Sequence, residues 1–231
     1  MQRGWVVFDL DGTLIESEQI WAEIRRDFVA EHGGRWNDGA QAAMMGMRTV
    51  EWARYMHDDL GVALPADSIA QRVVDAVAER LAVDLPVIPG ARRVLEEAAG
   101  AFVLGVATSS AQQVAATVLA RTGWAKFFSV VVSADSVARG KPAPDVYLRA
   151  LDLLAADPTC SAAVEDSGNG IRSAYAAGLA VIGIPNHAYP PDPAALALAD
   201  RRVAKLEDLD PGVIRDVLLR RATERRNEQS R

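Results

Sequence analysis

Five short apolar runs rich in β-branched residues, Trp5 to Phe8, Phe102 to Ala107, Ser129 to Val132, Ala162 to Val164 and Val181 to Ile184, constrain this chain more than any other feature. Each reads as a buried strand. Amphipathic stretches such as Ala111 to Arg121 and Asp145 to Leu154 lie between the later four. Strands alternating with helices in this way predict a doubly wound parallel sheet with helices on both faces, an α/β fold. The first gap breaks the rhythm. More than 90 residues separate Phe8 from Phe102, where a crossover needs only one helix, so something is inserted there.

Within that gap Ile20, Ile24 and Phe28 recur at helical spacing, as do Ile69, Val73, Val77 and Leu81, with Asp67 placed to cap the latter helix. Residues 17–85 therefore read as a small helical domain inserted into an α/β core made of 1–16 and 86–220. Pro86 to Gly90 carries two prolines and a glycine and reads as a stiff linker between them. Arg220 to Arg231 is polar and holds five arginines, so 221–231 is expected to be a disordered, solvated tail.

Charge narrows the range of partners. Lysine and arginine total 25 against 31 aspartate and glutamate, a net charge of -6, which gives no overall attraction to nucleic acid or to an anionic membrane. An anionic substrate then needs a local positive site. The single cysteine, Cys160, has no partner for an internal disulfide, and three scattered histidines, His32, His57 and His187, show neither a zinc pattern nor a catalytic partner. With no apolar run near the roughly 18 residues that span a bilayer, the expectation is a cytoplasmic enzyme.

Four segments carry chemistry. Phe8-Asp9-Leu10-Asp11-Gly12-Thr13-Leu14 places two carboxylates at the carboxyl end of the first strand, the edge at which open α/β sheets bind ligands. Residues two apart in extended chain face the same way, so Asp9 and Asp11 can address one reacting group, and Gly12 allows a sharp turn after them. Thr108, Ser109 and Ser110 end the second strand with hydroxyls and amides suited to phosphate oxygens, although Ser110 serves equally well as a helix N-cap. In Gly140-Lys141-Pro142-Ala143-Pro144-Asp145, prolines hold the chain around Lys141, a cation able to compensate phosphoryl charge. Val164-Glu165-Asp166-Ser167-Gly168-Asn169-Gly170 again ends a strand in carboxylates, and these hard oxygen donors suit magnesium rather than zinc or copper.

In order and spacing the four segments resemble the motifs of the haloacid dehalogenase superfamily of aspartate-nucleophile phosphatases, in the subgroup of phosphoglycolate-phosphatase-like and β-phosphoglucomutase-like proteins with an α-helical cap. The likeness spans about Trp5 to Pro185. It implies a Rossmann-like core, a cap formed by the insert, and hydrolysis of a small phosphorylated metabolite by a monomer or small homo-oligomer. Asp9 would be the nucleophile and Asp11 the general acid and base. Thr108, Ser109 and Lys141 would hold the transferring oxygens, and Asp9, Asp166, Glu165 and the Asp11 carbonyl would hold magnesium. Arg48, in Met45-Gly46-Met47-Arg48-Thr49, matches a cap segment that contacts substrate in related proteins, and Glu16 lies where the chain enters the cap. Both are expected to set specificity.

The resemblance also frames the alternatives. Mutases of this kind carry a histidine on the first cap helix, where this chain has Trp21. Dehalogenating relatives lack the second aspartate, present here as Asp11, and phosphonate hydrolysis needs a cap lysine, which the insert lacks. A catalytically silent binding protein on the same fold is opposed by the complete set of motif carboxylates and Lys141. Trp21, Trp36 and Trp52 are expected to pack the core of the insert.

Overall fold

A computed structural model describes residues 4–186 and 188–229; His187, Ser230 and Arg231 lie outside the described residues. Its centre is a six-stranded parallel sheet of β1 (Trp5–Phe8), β2 (Val103–Thr108), β3 (Phe128–Ser133), β4 (Ser161–Glu165), β5 (Ala180–Gly183) and β6 (Arg201–Arg202), in the order β3-β2-β1-β4-β5-β6. The five strands predicted from sequence fall within about a residue of their runs. The sixth escapes that reading because it is two exposed arginines with no apolar signature.

Of the five helices between the first two strands, four make up the insert: α1 (Glu18–Glu31), α2 (Ala40–Met44), α3 (Thr49–Asp58) and α4 (Ala66–Val83). The rest of the chain adds α5 (Ala91–Ala101), α6 (Gln112–Thr122), α7 (Asp145–Leu153), α8 (Gly168–Ala176), the short α9 (Pro193–Leu196) and α10 (Pro211–Gln229). Strand periodicity sorts these helices onto two faces. Val6 and Phe8 pack with Val94, Val114 and Val217 of α5, α6 and α10, while Val7 points the other way, against Val146, Tyr147 and Ile171 of α7 and α8.

The insert buries Trp21, Phe28, Trp52, Met56, Val73 and Leu81 in the same apolar cluster that continues into the α/β core. Trp21 and Trp52 meet edge to face at 6.0 Å. The two connections between insert and core are hydrogen-bonded side by side, with the Glu16 amide donating to the Pro86 carbonyl at 2.8 Å and the Ile88 amide to the Leu14 carbonyl at 3.0 Å.

Two local expectations change. Pro65, not Asp67, stands at the N-cap of α4; Asp67 lies in the first turn, where a carboxylate still favours the helix dipole. The arginine-rich stretch expected to be a disordered tail forms the last turns of α10 as far as Gln229. Its residues are good helix formers with no glycine or proline after Gly212, and Arg225 ties the helix to the core by donating to the Gly178 carbonyl at 2.8 Å.

Candidate active site

Because β1, β2 and β4 pair in register, with Phe8 opposite both Val106 and Val164, their carboxyl ends emerge at one level. Asp9 follows β1 directly, Thr108 closes β2, and Glu165 closes β4 with Asp166 after it. Carboxylate oxygens of Asp9, Glu165 and Asp166 all lie within 4.8 Å of one another, and all three side chains are buried.

Lys141 enters this acidic cluster from the loop before α7. Its ammonium donates to Asp9 Oδ1 at 2.6 Å, to Glu165 Oε1 at 2.6 Å and to the Ala107 carbonyl at 3.0 Å. Tyr147, on α7, donates its hydroxyl to the same Glu165 oxygen at 2.7 Å. Burial alone would lower the Lys141 pKa, but the Asp9 and Glu165 carboxylates outweigh it and hold the ammonium above its usual range. Burial pushes the Asp9 carboxyl well up despite Lys141, with Glu165 and Asp11 adding repulsion, and it does the same to Asp166 beside Asp9 and Glu165.

Three buried carboxylates thus face one ammonium. That excess of negative charge, on oxygen donors only, is what a hard divalent cation compensates, so the residues fit such an ion. The turn around them leaves no space to spare. Gly12, at φ +82°, lies so close that a side chain there would overlap the Asp166 carboxylate, and a side chain at Gly170 would overlap Glu165.

Asp11 is fixed by four donors. Its Oδ1 accepts from Ser17 Oγ at 2.5 Å and Trp21 Nε1 at 3.3 Å, and its Oδ2 from Thr108 Oγ1 at 3.1 Å and Ser110 Oγ at 2.8 Å. Two of these come from the insert side and two from the end of β2. Ser110 is therefore not the N-cap of α6, a position held by Ala111. Ser109 donates to the Gly46 carbonyl of the insert at 3.0 Å, and Asn169 donates to the neighbouring Met45 carbonyl at 3.0 Å.

A cavity of about 50 Å³ lies between the sheet edge and the insert, lined by Asp9, Asp11 and Lys141 below and by Glu18, Trp21 and Arg25 above, among others. Of the residues expected to set specificity, neither is among those lining it. Glu16 is exposed and Arg48 is committed elsewhere, donating to Glu51 Oε1 at 3.0 Å and to the Val137 carbonyl at 2.9 Å. Glu18 and Arg25, neither singled out from the sequence, line it instead, and Gln41 lies against both of them. Gln41 Nε2 donates to Glu18 at 2.9 Å, and burial pushes the Glu18 carboxyl up to about 7. One signal was available: Arg25 sits on the stripe Trp21, Arg25, Phe28, a charge on an apolar face.

Residues 6–184 match the family described as haloacid dehalogenase-like hydrolase. The bifunctional riboflavin kinase/FMN phosphatase of Arabidopsis thaliana is 30% identical over 78% of this chain, which spans only 48% of that protein. The phosphorylated carbohydrates phosphatase of Thermotoga maritima is 30% identical over 75% of this chain and 81% of its own length. Among solved structures, a variant of CbbY from Rhodobacter sphaeroides in complex with xylulose-1,5-bisphosphate is 28% identical, with a TM-score of 0.80 over 90% of this chain and 96% of that one.

Proposed function

Given that this chain belongs to the haloacid dehalogenase-like hydrolases, we propose that it hydrolyses the phosphate monoester of a small metabolite through a covalent phosphate on Asp9. The observation that carries this reading is the convergence of Asp9, Lys141, Glu165 and Asp166 in one buried cluster that opens on a cavity with Asp11 at its wall.

Asp9 attacks phosphorus in line, forming an acyl phosphate as the bond to the leaving oxygen breaks. Asp11, two residues on and oriented by four hydrogen bonds, gives its proton to that leaving oxygen. In the second step it takes a proton from the water that attacks the acyl phosphate, so one group serves both directions. Lys141 compensates charge on Asp9 and on the transferred oxygens, while Thr108 and Ser109 line the path of those oxygens from the end of β2. Asp9, Asp166, Glu165 and the Asp11 carbonyl would hold magnesium, which when bound offsets the repulsion between carboxylate and phosphate. Tyr147 holds Glu165 beside Lys141 by donating its hydroxyl to the same carboxylate oxygen that accepts from the ammonium.

The division into a core of 1–16 with 86–220 and a cap of 17–85 supports this chemistry, because the insert roofs the cavity and can exclude water from it. Trp21 favours hydrolysis over return of the phosphoryl group to a sugar. Its indole donates to Asp11 and has no acid–base capacity of its own. Magnesium-dependent release of phosphate from p-nitrophenyl phosphate, abolished by Asp9→Asn, tests the assignment. Wild-type protein that releases no phosphate from a broad panel of phosphometabolites with magnesium would overturn it.

A further inference from the structure

Resting on the phosphatase reading, we propose that Arg25 is the specificity residue of this enzyme and that it recognises an acidic group, a carboxylate or a second phosphate, on the part of the substrate that departs.

Arg25 is 5% exposed, yet it lines the cavity over Asp9 and Asp11. Two indoles pack against its guanidinium, Trp21 with the ring centroid at 4.6 Å and Trp52 at 4.9 Å. The edge of the fork, with its N–H donors, is the side from which a carboxylate or phosphate is recognised. Along that edge the group is nearly idle. Its Nη1 reaches Gln41 Oε1 at a long 3.4 Å, and its Nε has no hydrogen-bond partner among the described residues.

Among the described residues no carboxylate forms an ion pair with it, and Glu18 and Asp11 act on it only through space. Glu18 is the nearest candidate, but its carboxylate is turned to the Gln41 amide, so Gln41 spaces the two charges instead of letting them pair. Burial lowers the Arg25 pKa only to about 10, and the group keeps its charge at neutral pH. A buried, charged fork with no carboxylate in direct contact is unfavourable on its own and is satisfied once an anion enters the cavity.

Matched substrates test this. We would measure kcat/KM with magnesium for 2-phosphoglycolate against 2-hydroxyethyl phosphate, which differ by a carboxylate, and for fructose 1,6-bisphosphate against fructose 1-phosphate, which differ by a phosphate. The expected result is a wild-type preference of about thirtyfold or more for the acidic member of one pair, the size of a hydrogen bond between charged groups, expressed mainly in KM. Arg25→Met should bring the ratio close to one, and Arg25→Lys should restore part of it. The pair that responds identifies the acid. Wild-type ratios near one in both pairs, or an Arg25→Met variant that slows both members of a pair alike, would overturn the proposal. If Arg25→Met does not fold, Arg25→Lys carries the same comparison. Failure of the phosphatase reading looks different, since no substrate would then release phosphate; calorimetric binding of the same pairs to Asp9→Asn and to Asp9→Asn with Arg25→Lys still decides the role of Arg25.

Discussion

Replacing Glu18 by glutamine should stabilise the protein at alkaline pH and leave it unchanged in acid. Glu18 sits beside Asp11 and Arg25, and burial, reinforced by Asp11, raises its carboxyl from 4.5 to about 7 in the folded state. The folded protein thus holds this proton more tightly than the unfolded chain does. The stability derived from it is complete below about pH 4.5 and is lost as pH rises through about 7. At 1.36 kcal/mol for each tenfold change the full effect is about 3 kcal/mol, and water in the cavity, to which the side chain is partly open, reduces it to about 2 kcal/mol. Glutamine never ionises and can still accept from Gln41. Urea unfolding followed by tryptophan fluorescence should therefore show Glu18→Gln more stable than wild type by about 2 kcal/mol at pH 8, and equal to it within about 0.5 kcal/mol at pH 4.5. A variant that is less stable at pH 8, or shifted equally at both values, would refute the reasoning.

Lys141→Met removes the only ammonium seen in the acidic cluster and should cost about 3–5 kcal/mol in urea unfolding with EDTA, because Asp9 and Glu165 stay buried without their partner. Gly12→Ala places a methyl group against Asp166 at a left-handed backbone position and should raise the magnesium concentration for half-maximal phosphatase activity about tenfold or more. Trp52→Ala should lower stability by about 3–5 kcal/mol by opening a void between α1 and α3 where the side chain is fully buried. EDTA should abolish phosphate release from p-nitrophenyl phosphate, and added magnesium should restore it.

The legible and the illegible parts of this protein divide along a physical line. Asp9, Thr108, Lys141 and Asp166 were readable because each ends a strand or precedes a helix, and a parallel sheet brings strand ends to one edge whatever its loops do. Tyr147 was not, and Ser110 was readable only as a choice between a phosphate-facing hydroxyl and a helix cap. Tyr147 lies on α7, and only the phase of that helix turns its hydroxyl to Glu165, while the hydroxyl of Ser110 chooses between its own backbone and Asp11 through tertiary distances. The roof of the cavity was harder still. Arg25 and Arg26 are adjacent and chemically identical, yet one is buried against two indoles and the other, about 100° further round α1, is exposed. Arg48 shows the converse: a local match to a substrate-contacting segment did not reveal that Glu51, one turn on, takes up its side chain.

The central place of β1 has a consequence for synthesis of the chain. The first strand made is flanked by β2 and β4, both of which arrive far later, and Asp9 waits 132 residues for Lys141 while Thr13 waits 153 for Asp166. Such distant pairings form slowly, since long loops must close before any contact rewards them. A nascent or truncated chain that stops short of β4 leaves one apolar edge of β1 bare, an invitation to pair with another copy. Ribosomes that stall before Glu165 should therefore yield aggregates rather than a smaller, partly active protein.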